Sequence, residues 1–551
     1  MINKAIASQF QYLASLMELH GENKFKIRSY SSAYINIRKQ PEPLLEKSQA
    51  ELEAISGIGK STAGKIRELA DTGTMSAVAN LEEKTPEGVR EMLQIKGFGA
   101  KKVGVIWREL EVETIGELLY ACNENRLVEL KGFGQKTQAD LKQKLEYFEK
   151  SRDKFRYGDL EVEAMIVLDK LKAQLPDAQI ELTGEMRRRC NIINRIEILV
   201  GSDEKISQVF DNEQFVKTGE KDNVYHVRTA NDLPIKIYHC KKAEFGSKQF
   251  RFSASEAFLK AFLELKKGVD FKDISEERMV FEKAELPYIE PELREQDWGL
   301  ELAQKNALPT LLEPTDIRGI VHNHSTYSDG INTLREMAEE TRRLGYEYLV
   351  MSDHSKAAFY ANGLKEDRLM QQWAEIDELN KEMAPFRIFK SIESDIINDG
   401  SLDYSEEILA QFDLVIASVH TNLRMDEEKA TQRLLTAIEN PYTTILGHPT
   451  GRLLLSRTGY PLDHKRIIDA CAANGVSIEL NANPYRLDID WTWIPYAREK
   501  GVLISVNPDA HSVAGIQDVR FGVLSARKGG LTKEGCLNTK TLAEFEAFIK
   551  K

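Results

Sequence analysis

The chain has 551 residues, 42% hydrophobic and 29% charged, enough for several cores, and no run approaches the twenty apolar residues of a membrane span. Its five cysteines are scattered and never form a CxxC pair, which excludes a disulfide framework or a thiolate zinc site and predicts a reducing, cytoplasmic setting. The formal charge of −12 is uneven: residues 1–150 hold 22 Lys+Arg against 21 Asp+Glu, so a polyanion there must be met by local donors and backbone amides.

Residues 1–30 read as one amphipathic helix, without the leader and cleavage pattern of a signal peptide. Three related segments follow: Ile55 to Lys60 (ISGIGK), Ile95 to Ala100 (IKGFGA) and Leu130 to Gln135 (LKGFGQ). Each lies between predicted helices, giving a helix, a tight hairpin and a second helix three times over. Paired glycines permit positive φ and close backbone approach, and the following helix start presents free amides to an anion. One such hairpin is adequately explained as a turn between packed helices. Three in one helical frame predict contact with a nucleic-acid backbone, without base specificity, through Gly57, Ile58, Gly59 and Lys60, then Gly97, Phe98 and Gly99, then Gly132, Phe133 and Gly134.

Residues 151–240 read as a small α+β unit, with a helix over 160–175 and strands over 180–189, 195–202, 223–230 and 233–240. Residues 241–312 read as mostly helical, ending in a Pro-rich connection. Beyond residue 315 the pattern alternates. Strands are expected at 317–323, 346–352, 387–393, 413–419, 443–447, 476–482 and 502–507, with helices such as 333–345, 428–440 and 464–475 between them. Seven βα repeats point to a parallel barrel.

His322 and His324 end the first of these strands, Asp353 and His354 the second, Glu393 the third, His420 the fourth and His448 the fifth; Asp509 and His511 follow the seventh. Six of the ten histidines thus sit where a barrel builds its active site. A His-x-His on a strand aims both rings one way, and imidazole plus carboxylate suits zinc, manganese or iron better than calcium. A single strand-end histidine is adequately explained by hydrogen bonding; this convergence predicts a metal centre. Asp353 reads either as part of the catalytic group or as the residue fixing the loop that carries His354. The sixth strand ends in Glu479, Asn481 and Asn483.

With these motifs, residues 315–551 resemble a polymerase-and-histidinol-phosphatase (PHP) domain. The resemblance implies one ion on His322, His324, Glu393 and Asp509, a second on Glu393, His420 and His448, and a third on Asp329, His354 and His511. It also makes Arg452 a candidate contact to the scissile phosphate, against the alternative of a surface salt bridge. Two or three divalent ions (Mn, Zn or Fe) are expected, with an ion-held water as the nucleophile.

The remainder resembles a bacterial family X DNA polymerase, through residues 21–34 and 55–69 in the first domain and through GSKQFR (246–251) and LPYIEPELREQ (286–296) further on. The implied fold is multidomain α+β and α/β: an N-terminal helical domain (1–80), a fingers-like helix-hairpin-helix domain (81–150), a palm-like domain (151–240), a thumb-like domain with linker (241–314) and a distorted (β/α)7 PHP barrel (315–551). The palm departs from the family pattern. Where three aspartates should hold magnesium stand Arg195, Glu197 and Lys236, and the Gly-Ser that grips the nucleotide phosphate appears as Gly184-Glu185. Two cations repel the ions they replace, so polymerase activity is expected to be lost. Lys65 matches the position of a Schiff-base lysine in lyase-active relatives, against the simpler role of a helix-surface lysine.

The expected function is a DNA-binding, metal-dependent 3′-5′ exonuclease acting in repair, with abasic-site endonuclease action, on gapped, nicked or abasic duplex, as a monomer away from membranes. The alternatives are a gap-filling polymerase, a small-molecule phosphatase and a DNA-binding scaffold with structural metals. Nucleotide incorporation would mark the first, and a free metabolite needs no hairpin clamp.

Overall fold

The computed structural model describes residues 3–550 apart from 96–97, 111, 114, 116–117, 119–121, 123–126, 128–129, 131–132, 151–153, 213–214, 230–232, 359–360, 424 and 456–457. The chain forms two compact units, Met1–Arg152 and Asp153–Lys551. Among the described residues no helix is long and apolar enough to cross a membrane.

The first unit is helical. The expected single N-terminal helix is two, Asn3–Leu19 and Lys24–Arg38. Gly21 at φ +66° breaks it, and Asn23 caps the second helix by accepting from Phe25 N at 2.8 Å. Ile6, Phe10, Leu13 and Leu16 on one face of the first helix bury against Ile37, Leu52, Ile66 and Val103.

Among the described residues the second unit contains a two-stranded ladder with a six-stranded sheet, and a separate seven-stranded sheet. In the first, β1 (Phe155–Arg156) pairs with β3 (Ile192–Ile193), beside a six-stranded sheet of β2 (Gln179–Leu182), β4 (Ile196–Gly201), β5 (Asp211–Asn212), β6 (Phe215–Lys221), β7 (Val224–Thr229) and β8 (Pro234–Cys240), ordered β2-β4-β8-β7-β6-β5. The helix Tyr157–Gln174 packs on it. The strand expected over 180–189 stops at Leu182, because Gly184 takes φ +62° against the Glu197 carboxylate and the chain turns into the short helix Gly184–Arg187. The helices Phe245–Phe252, Glu256–Leu265 and Glu277–Lys283 enclose a phenylalanine core of Phe250, Phe258, Phe262 and Phe281.

Two of the arginines after that turn bind the parts of this unit together. Arg187 meets Glu277 (2.6 and 2.8 Å), which also accepts from the fully buried Arg294 (2.6 Å). Arg188 meets Glu295 (2.6 Å), which Lys528 reaches from the barrel (3.2 Å). Burial disfavours the charge on these glutamates, but Arg294 and Arg187 bring Glu277 to about 2, and Lys528 and Arg188 bring Glu295 to about 2. Both pKa values lie below that of an unfolded glutamate near 4.5. Each carboxylate therefore adds stability, on the order of 3 kcal/mol, present above the unfolded pKa and lost as pH falls toward the folded one. Thermal melts should show Tm falling between about pH 4.5 and 2, and Glu277→Gln should flatten that fall; an unchanged profile in the variant would count against this linkage.

The seven-stranded sheet is parallel: β9 (Gly319–Asn323), β10 (Tyr348–Met351), β11 (Arg387–Asp395), β12 (Leu414–Ser418), β13 (Thr443–Leu446), β14 (Ser477–Asn481) and β15 (Ile504–Asn507), each beside the next. Its strands are buried on both faces, as the near-continuous apolar runs require. The two edges meet where Asn323 pairs with Ala510, and Asn538 accepts from Val506 N (2.7 Å) while donating to the Gly319 carbonyl (3.3 Å). The result is a nearly closed seven-stranded barrel, wrapped by helices that include Leu334–Arg343, Glu366–Met383, Glu427–Ile438, His464–Asn474 and Val519–Lys528.

Candidate metal centre

The polar residues at the strand ends converge. Among the described residues, three groups have donor atoms within 4.8 Å of one another: His322, His324 and Asp509; His354, Glu393 and His420; His324, Asp329, His354 and His511. His448 joins them, its Nε2 2.9 Å from Glu393 Oε1. All nine residues expected from the sequence are therefore brought together, although His354 stands between Glu393 (2.9 Å) and Asp329 (3.6 Å) rather than with one partner set. Glu393 is the hub: its Oε1 lies 3.2 Å from His322 Nε2 and 3.1 Å from His420 Nε2.

His322 and Asp509 both adopt positive φ, +64° and +51°. For residues other than glycine this conformation is sparsely populated and marks sites where the fold over-determines the backbone. The register of β9 against β10 slips beside His322, so a bulge as well as strand alternation brings the rings of His322 and His324 to 5.3 Å.

Buried partners fix the ring orientations. Glu479 lies 2.6 Å from His322 Nδ1 and also accepts from Asn507 (2.8 Å), Asn481 (3.0 Å) and the His448 N–H (3.1 Å). Asp395 does the same for His420 Nδ1 at 3.0 Å, and the Asp509 carbonyl for His511 Nδ1 at 3.0 Å. These bonds leave each Nε2 facing the cluster, the second layer of contacts that metal-ligating histidines need.

The donor set fits divalent cations. His322 Nε2, His324 Nδ1 and Glu393 Oε2 are buried without a hydrogen-bond partner among the described residues, although oppositely charged neighbours are close. Donors aimed at a common point rather than at each other are what a metal site presents. The charged groups of the cluster act strongly on one another. Burial disfavours protonated imidazole, yet Glu393 and Asp329 raise His354 to about 10, Glu393 and Asp395 raise His420 to about 9, and Asp329 and Asp509 raise His511 to about 9. Burial and the neighbouring His511 and His354 push His324 down to about 3. Burial opposes the charge on Glu393 and Asp509, but the histidines hold both well below the ordinary carboxylate range.

Asp353 and Arg452, each open to two readings from the sequence, are both held by protein groups. Asp353 is fully buried and accepts from Ser325 N and Oγ (both 2.8 Å), Ser328 N (3.1 Å) and Oγ (2.5 Å), and Gln372 (2.6 Å). Its lone pairs are saturated by donors of the loop between His324 and Asp329 and by Gln372. Arg452 pairs with Asp490 (2.7 Å), and its other nitrogens donate to the carbonyls of Arg486 and Leu487. Among the described residues, Arg486 does lie beside the cluster, with Nε 3.6 Å from Asp509 Oδ2. No motif or periodicity marked Arg486 or Asp395; Glu479 stood out only as an acid at the end of the sixth strand, and the fold gives it its partner.

The hairpins share one backbone hydrogen bond. The carbonyls of Ile55, Ile95 and Leu130 accept from Ile58 N, Phe98 N and Phe133 N at 3.0, 2.9 and 3.0 Å. Gly57 has φ +84°, and Gly59, Gly99 and Gly134 face open space where an added Cβ would meet nothing. Lys60 is exposed at the start of the helix Lys60–Thr72, whose N-cap Gly59 offers no side-chain cap. Ile58, Phe98 and Phe133 are corrected: they are buried in the helical core and anchor the turns, because an apolar side chain between two glycines finds its partners inside. Gly97 and Gly132 lie outside the described residues. The Lys65 amine sits 5.7 Å from the Tyr30 ring, a cation–π contact on the helix surface.

In the six-stranded sheet, Glu197 on β4 lies beside Lys236 on β8 and accepts from Tyr238 at 2.7 Å. Lys236 lies over the Tyr238 ring, Arg195 is exposed, and Glu185 accepts from Asn194 N and Nδ2 at 2.7 and 2.6 Å. The three positions thus hold one carboxylate and two cations.

Residues 1–75 match the helix-hairpin-helix domain family and residues 49–112 the SAM-like helix-hairpin-helix tandem family. The DNA polymerase/3′-5′ exonuclease PolX of Bacillus subtilis (strain 168) is 32% identical over 572 aligned positions, covering 100% of both chains. A probable phosphatase of Thermoanaerobacter sp. (strain X514) is 29% identical over 244 residues, 42% of this chain and 93% of its own. Another, of Caldanaerobacter subterraneus, is 29% identical over 207 residues, 34% of this chain and 74% of its own.

Proposed function

We propose, from the premise that this chain belongs to the PolX family of DNA polymerase/3′-5′ exonucleases, that it is a metal-dependent 3′-5′ exonuclease whose polymerase activity has been lost. The observation that carries this reading is a contrast: nine imidazole and carboxylate residues converge in the barrel, while Arg195, Glu197 and Lys236 occupy the polymerase positions.

Two or three divalent ions would be held by His322, His324, Glu393, Asp509, His420, His448, Asp329, His354 and His511, with manganese, zinc or iron as the chemically suited metals. When bound, such ions activate water and neutralise charge on the phosphate oxygens. The chain's own residues supply the rest. Glu479 and Asp395 orient the imidazoles, Asp353 holds the loop that carries Asp329, and Arg486 offers a cation to the substrate phosphate. The glycine turns of the first unit would grip the DNA backbone through exposed amides, independent of sequence.

The working division is 1–80, 81–150, 151–240, 241–314 and 315–551. Gapped, nicked or abasic duplex is the proposed substrate, with repair in the cytoplasm as the setting and a monomer as the acting species. Lyase chemistry at Lys65 forms no part of this reading.

The test is a gapped duplex with a 5′-labelled primer, manganese and all four nucleotides. The primer is expected to shorten without being extended. Extension by even one nucleotide would establish the gap-filling alternative and overturn the reading of the palm.

A further inference from the structure

The segment after β14 carries a second feature beside the metal centre. Asn481 Oδ1 accepts from Asn483 N (3.1 Å), and Asn483 Oδ1 accepts from Tyr485 N (3.0 Å). The next residue, Arg486, is the cation 3.6 Å from Asp509. Tyr485, the residue before that cation in the chain, is 47% exposed.

One face of its ring is covered from the palm. The guanidinium carbon of Arg156 lies 3.4 Å from the ring centroid, the spacing of a face-to-face stack. Arg156 is itself clamped by Asp159, through Nε at 2.8 Å and Nη2 at 3.1 Å. Close approach of the palm makes this possible: a Cβ on Gly158 would lie 2.9 Å from Pro484 and 3.3 Å from Phe521. The ring is thus fixed in plane on one side, and its exposed surface belongs to the other face and edge.

A flat aromatic with a backed face, one residue from a phosphate-binding cation, is a surface on which a nucleobase stacks whatever its identity. The relatives described as probable phosphatases align over the C-terminal part alone, 42% and 34% of this chain, so a palm residue such as Arg156 is not part of that shared region. We propose that Tyr485, held flat by Arg156, is the platform for the base next to the scissile phosphate, and that this support is what the palm contributes to the nuclease. The proposal rests on the exonuclease reading above.

The test uses the full chain with manganese and two single-stranded oligonucleotides, identical except that one carries a 1,2-dideoxyribose in place of its 3′-terminal nucleoside. The natural enzyme should have a KM about ten-fold lower for the base-bearing strand, the order of one stacking contact. Tyr485→Leu should raise that KM to the level of the baseless strand with a much smaller change in kcat. Tyr485→Trp should restore the preference, and Arg156→Gln should lose part of it. A Tyr485→Leu enzyme that keeps the preference, or a natural enzyme without one, overturns the proposal. Cleavage of neither strand by the natural enzyme removes the nuclease reading itself, and the platform with it.

Discussion

Replacing Glu393 with Gln is expected to lower phosphodiester hydrolysis by more than about 100-fold, the loss typical of disturbing only the outer contacts of a metal ligand. Glu393 is 1% exposed and faces His322, His354, His420 and His448 within 3.2 Å. The amide has nearly the same shape but no charge, and it offers one ligand oxygen where the carboxylate offers two. Its NH2 would also point at imidazoles that now see an acceptor. Metal content by atomic absorption should fall by at least one ion per chain while the melting profile stays cooperative. Full metal occupancy with full activity would mean that Glu393 is a structural carboxylate and the cluster is misread.

Asp353→Ala should have the largest effect on stability, on the order of 3 kcal/mol. The substitution strands the N–H groups of Ser325 and Ser328 and the amide of Gln372, all buried and now bonded to one carboxylate. Burial pushes the Asp353 pKa up while the serine donors oppose that shift, so the network is tuned around an acceptor. Asp353→Asn should recover only part of the loss, since its NH2 meets donors. Thermal melts check the stability, and metal titration checks the consequence, because the loop that loosens carries Asp329. Unaltered melting in Asp353→Ala would show that other groups hold the loop.

The barrel was legible because two signals coincided: apolar runs long enough for strands buried on both faces, and ligand-type residues at their C-terminal ends. Glu479 was visible as a strand-end acid, but nothing local says that it will lie under His322, 157 positions away in the chain. Arg452 and Arg486 show the same limit. Both are arginines in loops, and only the packing that gives Arg452 to Asp490 leaves Arg486 beside Asp509. The hairpins were recognised by their glycines, yet period and composition could not tell that Ile58, Phe98 and Phe133 face inward. The strand expected through residues 180–189 failed at Gly184, where contact with Glu197 rather than local propensity sets the turn. The polar, glycine-containing β6 (FVKTGEK) carried no strand signal of its own and is held by β7. The departures of the palm were legible because they concern charge, which a sequence states directly.

The proposed function requires that the barrel's cluster of histidines and carboxylates cut DNA. Its most direct test is the length of a 5′-labelled, 3′-recessed strand after incubation with manganese, for the natural chain beside His322→Ala/His324→Ala. Stepwise shortening from the 3′ end is expected with the natural chain and none with the double variant. Equal shortening by both, or none by either, would contradict it.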